Sequence, residues 1–133
     1  MPHGANVMIN NRNGFTLVEF LVAIVILMVG LLGLLQTINV AVDQGLGNDF
    51  RNEAVTVVDD LMMKRRAKTF DSLSTGTKFT IYSTPVRGIR KKYNITEVIA
   101  NVTPNSKQIS IDAEWTKKNN TYKHSATTVV STN

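Results

Sequence analysis

The fold is decided by Gly-Phe-Thr-Leu-Val-Glu at residues 14–19, which opens an apolar run that continues to Leu35. The 21 residues from Phe15 to Leu35 would form a helix of about 31 Å, enough to cross the hydrocarbon core of a bilayer. No side chain from Phe20 to Leu35 is polar, whereas Glu19 places a carboxylate near the start of the run. An ionised carboxylate in hydrocarbon is costly unless it has a partner or a proton, so Glu19 requires a functional explanation.

After the apolar run, the spacing between apolar residues changes twice. From residue 38 to about residue 69, apolar side chains recur every three or four positions, which predicts an amphipathic continuation of the helix. Beyond residue 76 the apolar period is two, which predicts a sheet of about four antiparallel strands. The expected strands are residues 77–83, 93–103, 107–116 and 122–130. Such a sheet needs a cover on one face, so the sequence predicts an α+β fold in which the amphipathic half of a long N-terminal helix packs on the sheet.

The third expected strand has the clearest alternation. Its apolar positions are Ile109, Ile111, Ala113 and Trp115, and its polar positions are Ser110, Asp112 and Glu114. Because side chains of a strand point alternately to its two faces, we expect the apolar set to face the core and Trp115 to be buried against the helix. In the first strand, Phe79 and Ile81 are expected on one face.

The positive charge of the chain, +5 at pH 7, is concentrated in its second half. Residues 1–70 carry six basic and six acidic side chains, whereas residues 71–133 carry nine and four. A basic segment, expected to be a loop, contains Arg87, Arg90, Lys91 and Lys92 beside Tyr93. Such cations can neutralise phosphates while an aromatic ring stacks on a base, which makes the segment a possible partner patch. No motif of nucleic-acid recognition accompanies it, so solvated surface charge is the simpler interpretation.

Side chains suited to catalysis or metal binding are few. The chain has no cysteine, which excludes disulfides and thiol nucleophiles, and its two histidines are His3 and His124. The sequence shows no zinc-ligand spacing, no arrangement for a Ser-His-acid site and no phosphate-binding glycine loop. We therefore expect no metal, no cofactor and no enzymatic activity, and a membrane-anchored enzyme is the least favoured alternative.

Residues 1–35 resemble the N-terminal signal of the type IV pilin-like superfamily, which contains type IV pilins, minor pilins and the pseudopilins of type II secretion. That signal is a short polar leader ending in glycine, followed by Phe-Thr-Leu-[Ile/Val]-Glu at the start of an apolar helix, and residues 14–19 match it throughout. The resemblance implies that a prepilin peptidase cuts between Gly14 and Phe15 and that the new amine of Phe15 is methylated. It also implies that Glu19 pairs with the Phe15 amine of a neighbouring subunit during assembly.

The resemblance also implies an organisation and a location for the chain. It divides the chain into a leader at residues 1–14, a transmembrane and assembly helix at residues 15–36 and a small globular domain at residues 37–133. The precursor would cross the inner membrane once, with its N-terminus in the cytoplasm and its globular domain in the periplasm, before it joins a pilus at the cell surface. Its implied partners are prepilin peptidase and other major and minor pilins, which it would meet through a bundle of N-terminal helices.

Within the superfamily the chain most resembles minor pilins of the PilV type. These carry a Val-Gly-Leu-Leu-Gly-Leu segment, matched at residues 29–34, and a C-terminal strand with Trp-Thr, matched at residues 115–116. Gln36 stands where many major pilins have proline, and the C-terminal disulfide loop of many pilins is impossible without cysteine. These features favour a minor pilin, and the alternatives are a secretion pseudopilin and a DNA-binding tip pilin.

Overall fold

The structure is a computed structural model, and it describes residues 14–132. Its elements in chain order are the helix α1 at Leu17–Arg66, a 3₁₀-helix at Phe70–Ser72, and the strands β1 at Gly76–Val86, β2 at Ile89–Thr103, β3 at Ser106–Lys117 and β4 at Asn120–Ser131. Over the described residues, these elements confirm the predicted α+β fold, a long N-terminal helix followed by a four-stranded antiparallel sheet. The chain divides into two compact units, residues 1–41 and 42–133.

The described part of the first unit is the apolar part of α1, and its side chains are exposed. The mean hydropathy of an 18-residue window reaches 2.8, and none of that window is buried. Glu19 is the single charged side chain in residues 14–42. Thr37 Oγ1 donates a hydrogen bond to Gly33 O at 3.0 Å, which satisfies the hydroxyl within the helix, as an apolar environment requires. By length and composition, α1 is the one helix in residues 14–132 that could cross a membrane.

The sheet of the second unit has the strand order β1-β2-β3-β4, and each neighbouring pair is antiparallel. Two-residue turns connect consecutive strands. In the first and third turns both central residues have positive φ, as in the type I′ turns that match the twist of a hairpin. These residues are Arg87 (φ 47°), Gly88 (φ 78°), Lys118 (φ 48°) and Asn119 (φ 64°). Gly88 and Asn119 are of residue types that adopt this conformation at low cost.

The core of the second unit lies between the amphipathic part of α1 and one face of the sheet. Its buried apolar side chains are Phe50, Ala54, Val57, Val58 and Met62 from the helix, Leu73 from the segment that follows it, and Val86, Tyr93, Ile95, Ile99, Ile109, Ile111, Ala113 and Trp115 from the sheet. The inward set predicted for β3 is confirmed, and Trp115 is 5% exposed. The Tyr93 hydroxyl donates a hydrogen bond to Phe50 O at 3.0 Å, so this buried polar group is satisfied.

Ion pairs join α1 to the two turns at one end of the sheet. Arg87 in the first turn pairs with Asp49. At the third turn, Lys117 and Lys118 pair with Asp43 at 3.1 and 2.8 Å. Hydrogen bonds from Lys118 and then Lys117 lower the pKa of the Asp43 carboxyl below its ordinary value. Because these groups are partly exposed, the pairs position the turns beside the helix more than they stabilise the fold.

The structure corrects the expectation of a basic loop at residues 87–92. The connection consists of Arg87 and Gly88 alone, and β2 already begins at Ile89. The physical reason is that a type I′ turn closes a hairpin with two residues when both accept positive φ. The helix also ends earlier than residue 69, at Arg66, because Thr69 is already extended (φ −65°, ψ 149°).

Phe79 and Ile81 share one face of β1, as the alternation predicts, but that face points away from the core. Their partners in β2 are Thr96 and Asn94, which alternate with the buried side chains of that strand. Phe79 is 75% exposed and Ile81 is 68% exposed. In addition, β1 is an edge strand of the sheet, and most of its residues are accessible to solvent.

Tyr93 makes the stability of the second unit depend on pH above about pH 10. Burial, and to a smaller extent the charge of Glu53, raises the pKa of its hydroxyl from 10.0 to about 12. Because the folded state holds this proton more tightly than the unfolded chain, the stabilisation is complete below the unfolded pKa and is lost as the pH rises through the folded pKa. Tyr93→Phe should flatten this decline in urea unfolding, and Tyr82→Phe, at an exposed position, should leave it unchanged. An identical decline in the Tyr93→Phe variant would contradict the assignment.

Candidate functional site

Two reciprocal hydrogen bonds between Thr16 and Glu19 cap the N-terminus of α1. The Thr16 N–H donates to Glu19 Oε2 at 2.9 Å, and the Glu19 N–H donates to Thr16 Oγ1 at 3.2 Å. This is a capping box, in which a Ser or Thr before the helix and a Glu or Gln at its third position satisfy each other's backbone donors. The carboxylate also lies at the positive end of the helix dipole. The helix therefore begins at the start of the apolar run.

Sequence reasoning missed the role of Thr16, although its signal was present. The spacing Thr-x-x-Glu immediately before an apolar run is the pattern of a capping box. The cap gives Glu19 a function within its own chain, because its Oε2 atom satisfies a backbone N–H that the helix leaves unpaired. Within residues 14–132 the other carboxylate oxygen, Oε1, accepts no hydrogen bond. One half of the Glu19 carboxylate is thus available to a partner.

Gly14 and Phe15 precede the helix and are exposed to solvent, Phe15 to 85%. Within residues 14–132, a Cβ atom added at Gly14 would meet no atom within 4 Å, and the φ of Gly14 lies outside the left-handed region that favours glycine. The fold itself therefore does not require glycine at this position. The peptide bond between Gly14 and Phe15 is accessible to an enzyme, and it lies two residues before the helix.

Apolar side chains cover the helix surface beyond Glu19. Most large hydrophobic side chains from Phe20 to Leu35 are more than half exposed. Added Cβ atoms at Gly30 and Gly33 would meet nothing within 4 Å, so these glycines leave room for a neighbouring backbone. A helix that is apolar on all sides must be surrounded by lipid or by other apolar helices. The described part of the first unit is therefore suited to both environments.

Of the four cations of the predicted basic patch, Arg90, Lys91 and Lys92 line one cleft of about 520 Å³, and Arg87 is not among the residues that line it. Arg87 pairs with Asp49, as described above. Lys91 points to the core side of β2, with Nζ 4.9 Å from the centre of the Phe50 ring. Arg90 and Lys92 are exposed, and by the alternation of a strand they lie on the opposite face.

Residues 14–132 contain no group of three His, Asp or Glu side chains that could hold a metal ion. His124 lies on β4, paired across the strands with Ala113. His3 and the rest of the expected leader up to residue 13 lie outside the described residues. The described N-terminal segment therefore offers three features for function: the Glu19 carboxylate, the accessible peptide bond between Gly14 and Phe15, and the apolar surface of α1.

Comparison with protein families gives a match for this N-terminal segment. A family model described as the prokaryotic N-terminal methylation motif matches residues 9–35, which include Gly14, Phe15 and Glu19. The match supports a type IV pilin-like protein that is processed by prepilin peptidase and anchored in the membrane before assembly. No curated protein and no solved structure matches the chain significantly.

Proposed function

We propose that this protein is a minor pilin, a structural subunit that prepilin peptidase processes and that acts in the assembly, initiation or modification of a type IV pilus. The observation that carries the proposal is the capped sequence at residues 14–19 at the start of an exposed apolar helix. The fold of the second unit requires neither the glycine nor the exposed apolar surface. Both are accounted for if an enzyme cuts before Phe15 and the helix then packs with the helices of other subunits.

Cleavage would create the partner that Glu19 needs. Hydrolysis of the bond after Gly14 adds one water, releases residues 1–14 with a terminal carboxylate and leaves a primary amine on Phe15. The amine stays protonated after methylation, so the mature helix carries a positive charge at its first residue. In the precursor, residues 14–42 contain no positive side chain, and Glu19 has no opposite charge within this part of the chain.

Glu19 can serve its own helix and a neighbouring subunit at the same time. Its Oε2 atom accepts the Thr16 N–H, and its Oε1 atom accepts no hydrogen bond in the described chain. The amine of a neighbouring subunit can therefore approach Oε1 while the cap stays intact. Pairing of the two charges lowers the cost of an ionised carboxylate in hydrocarbon, which favours helices packed at one particular register.

The second unit supports a small subunit over an elaborate receptor-binding one. Between residues 76 and 131 each strand connection is two residues long, so no extended loop projects between strands. A secretion pseudopilin remains the alternative, because it would be processed in the same way and would use the same helix contacts. Deletion of the major pilin distinguishes a minor pilin from a pseudopilin. If the chain is a pilus subunit, the deletion should remove it from sheared surface filaments.

A DNA-binding tip pilin is less well supported by the geometry. Arg87 is exposed but paired with Asp49, and Lys91 lies over an aromatic ring. Within residues 14–132, Arg90 and Lys92 are therefore the cations of the predicted patch with neither an ion pair nor a ring contact. Affinity for nucleic acid depends on the number of phosphates that cations neutralise, and two cations provide few such contacts. We therefore propose no role in nucleic-acid binding for this segment.

Glu19→Gln tests the assembly role separately from the helix cap. Glutamine at the third helical position preserves a capping box, but it has no charge to pair with a neighbour's amine. Breaking a buried charge pair costs about 3–5 kcal/mol, so incorporation into filaments should fall by more than about tenfold. The variant should still be cut after Gly14. Immunoblots of sheared filaments and membranes measure incorporation, and mass spectrometry measures cleavage.

Two further variants complete this test. Glu19→Ala removes both the cap and the charge, and it should be processed and then fail to assemble. Thr16→Ala loses the hydroxyl half of the cap but keeps the carboxylate, and it should still enter filaments. If Glu19→Gln assembles like the wild type, Glu19 acts as a helix cap alone and the proposed pairing between subunits is wrong.

A further inference from the structure

A cleft in the second unit has no role in the proposed assembly. It has a volume of about 300 Å³ and lies between the end of α1, the segment at residues 72–75 and the start of β1. We call it the Arg65–Lys78 cleft. Its charged lining residues are Arg65, Lys68, Lys78 and Glu97. Hydroxyl side chains between residues 72 and 77 also line it, together with Leu73, Gly76 and Ile99.

The charges of the Arg65–Lys78 cleft leave a surplus of two positive charges. Glu97 is 7% exposed, and its Oε2 atom lies 2.8 Å from Arg65 Nε. The terminal nitrogens of the Arg65 guanidinium have no hydrogen-bond partner within residues 14–132. Lys78 lies directly across from Glu97 in the sheet, yet among the described residues neither Lys78 nor Lys68 forms an ion pair.

Stability of the fold does not account for this group of charges. A buried ion pair contributes little net stability, because desolvation of the two charges offsets their attraction. Arg65 also lies in the last turn of α1, where a cation interacts favourably with the helix dipole. Lys78 belongs to β1 and has neither role. Its ammonium group is exposed and lies across from a carboxylate that Arg65 already pairs, so it is available to an anion in the cleft.

We propose that the Arg65–Lys78 cleft binds the phosphate or sulfate group of a small ligand of about the size of a sugar phosphate. Glu97 holds the Arg65 guanidinium in place, so that its terminal N–H groups can donate to two oxygens of the anion. Lys78 and Lys68 supply point charges, and the hydroxyl groups supply further hydrogen bonds. A cleft of about 300 Å³ is at the lower end of small-ligand sites, which favours one anionic group with its sugar over a polymer.

Titration of the full-length chain with glucose 6-phosphate in nonionic detergent micelles tests this proposal. The backbone amide signals of residues 72–78 should shift in a saturable manner, and inorganic phosphate and sulfate should shift the same signals, whereas glucose should not. Lys78→Gln should weaken the affinity about tenfold, because it removes a charge-assisted hydrogen bond. Lys78→Arg keeps the charge and should retain the affinity within about threefold.

Lys92→Gln is the matched control, because it makes the same substitution at an exposed position of β2 that does not line the cleft. It should change the affinity by less than about twofold. Equal weakening by Lys78→Gln and Lys92→Gln would reveal general charge attraction and overturn the proposal. The absence of saturable shifts would also overturn it, as would saturation by an oligonucleotide without a response to glucose 6-phosphate. The assay uses the unprocessed chain, so its failure leaves the pilin proposal untouched.

Discussion

A chain carrying Gly14→Val is expected to remain a full-length precursor when it is produced together with a prepilin peptidase, whereas the wild type should lose residues 1–14. The resemblance to prepilins implies that the peptidase accepts no side chain at the residue before the cut. Among the described residues, a Cβ atom at Gly14 would meet nothing within 4 Å, so the fold of residues 14–132 accommodates the larger residue. Complete loss of cleavage would therefore report recognition by the enzyme, and intact mass spectrometry measures it directly.

Gly30→Val is the matched control for this experiment. The substitution is identical, and an added Cβ atom at Gly30 also meets nothing within 4 Å, but the site lies inside the apolar helix and away from the cut. This variant should be processed like the wild type. A Gly14→Val chain that is cut normally would remove the basis for a prepilin, and equal loss of cleavage in both variants would point to a defect in membrane insertion.

Those parts of the fold that rest on local patterns were predictable. The apolar run and the period of three to four residues after it predicted α1, because a helix repeats its faces on that spacing. The alternation in β3 predicted its four inward side chains, since a strand changes face at every residue. In both cases the information lies within a few consecutive residues.

Features that depend on the whole sheet were not predictable in this way. Alternation shows that Phe79 and Ile81 share a face, but it does not show which face the helix covers. The register of β1 against β2 places these side chains on the face away from the core, which is why they are exposed. The turn at Arg87 was missed because a basic residue is an unusual choice for a position with positive φ.

The two candidate sites differ in the same way: one consists of residues close together in the sequence, and the other of residues that only the fold brings together. Gly14, Phe15 and Glu19 lie within six residues of sequence, so a motif could predict them together. Arg65 and Glu97 are separated by 32 residues, and their ion pair exists because β2 passes the last turns of α1. The sequence pattern around Glu97 is that of a strand in the core, and it contains no sign that a carboxylate there would have a buried partner.

Trp115→Ala is expected to cause the largest loss of stability in the second unit. Trp115 is 5% exposed, and its ring centroid lies 5.8 Å from that of Tyr122 and 5.9 Å from that of Tyr93. Truncation of a buried aromatic side chain to alanine costs about 3–5 kcal/mol, because it removes apolar burial and leaves a cavity. The melting temperature should fall by about 15–30 °C. Thermal unfolding followed by circular dichroism in the β-sheet region measures this effect on the full-length chain in detergent.

Phe79→Ala provides the control, because it removes an aromatic ring that is 75% exposed on the opposite face of the same sheet. Its stability should change by less than about 0.5 kcal/mol. If the processing signal depends on the first unit alone, the Trp115→Ala chain should still be cut after Gly14 at the wild-type rate, even when its sheet is unfolded. A loss of less than about 1 kcal/mol in Trp115→Ala would show that the core does not depend on the indole. Failure of cleavage in that variant would show that the peptidase also requires the folded sheet.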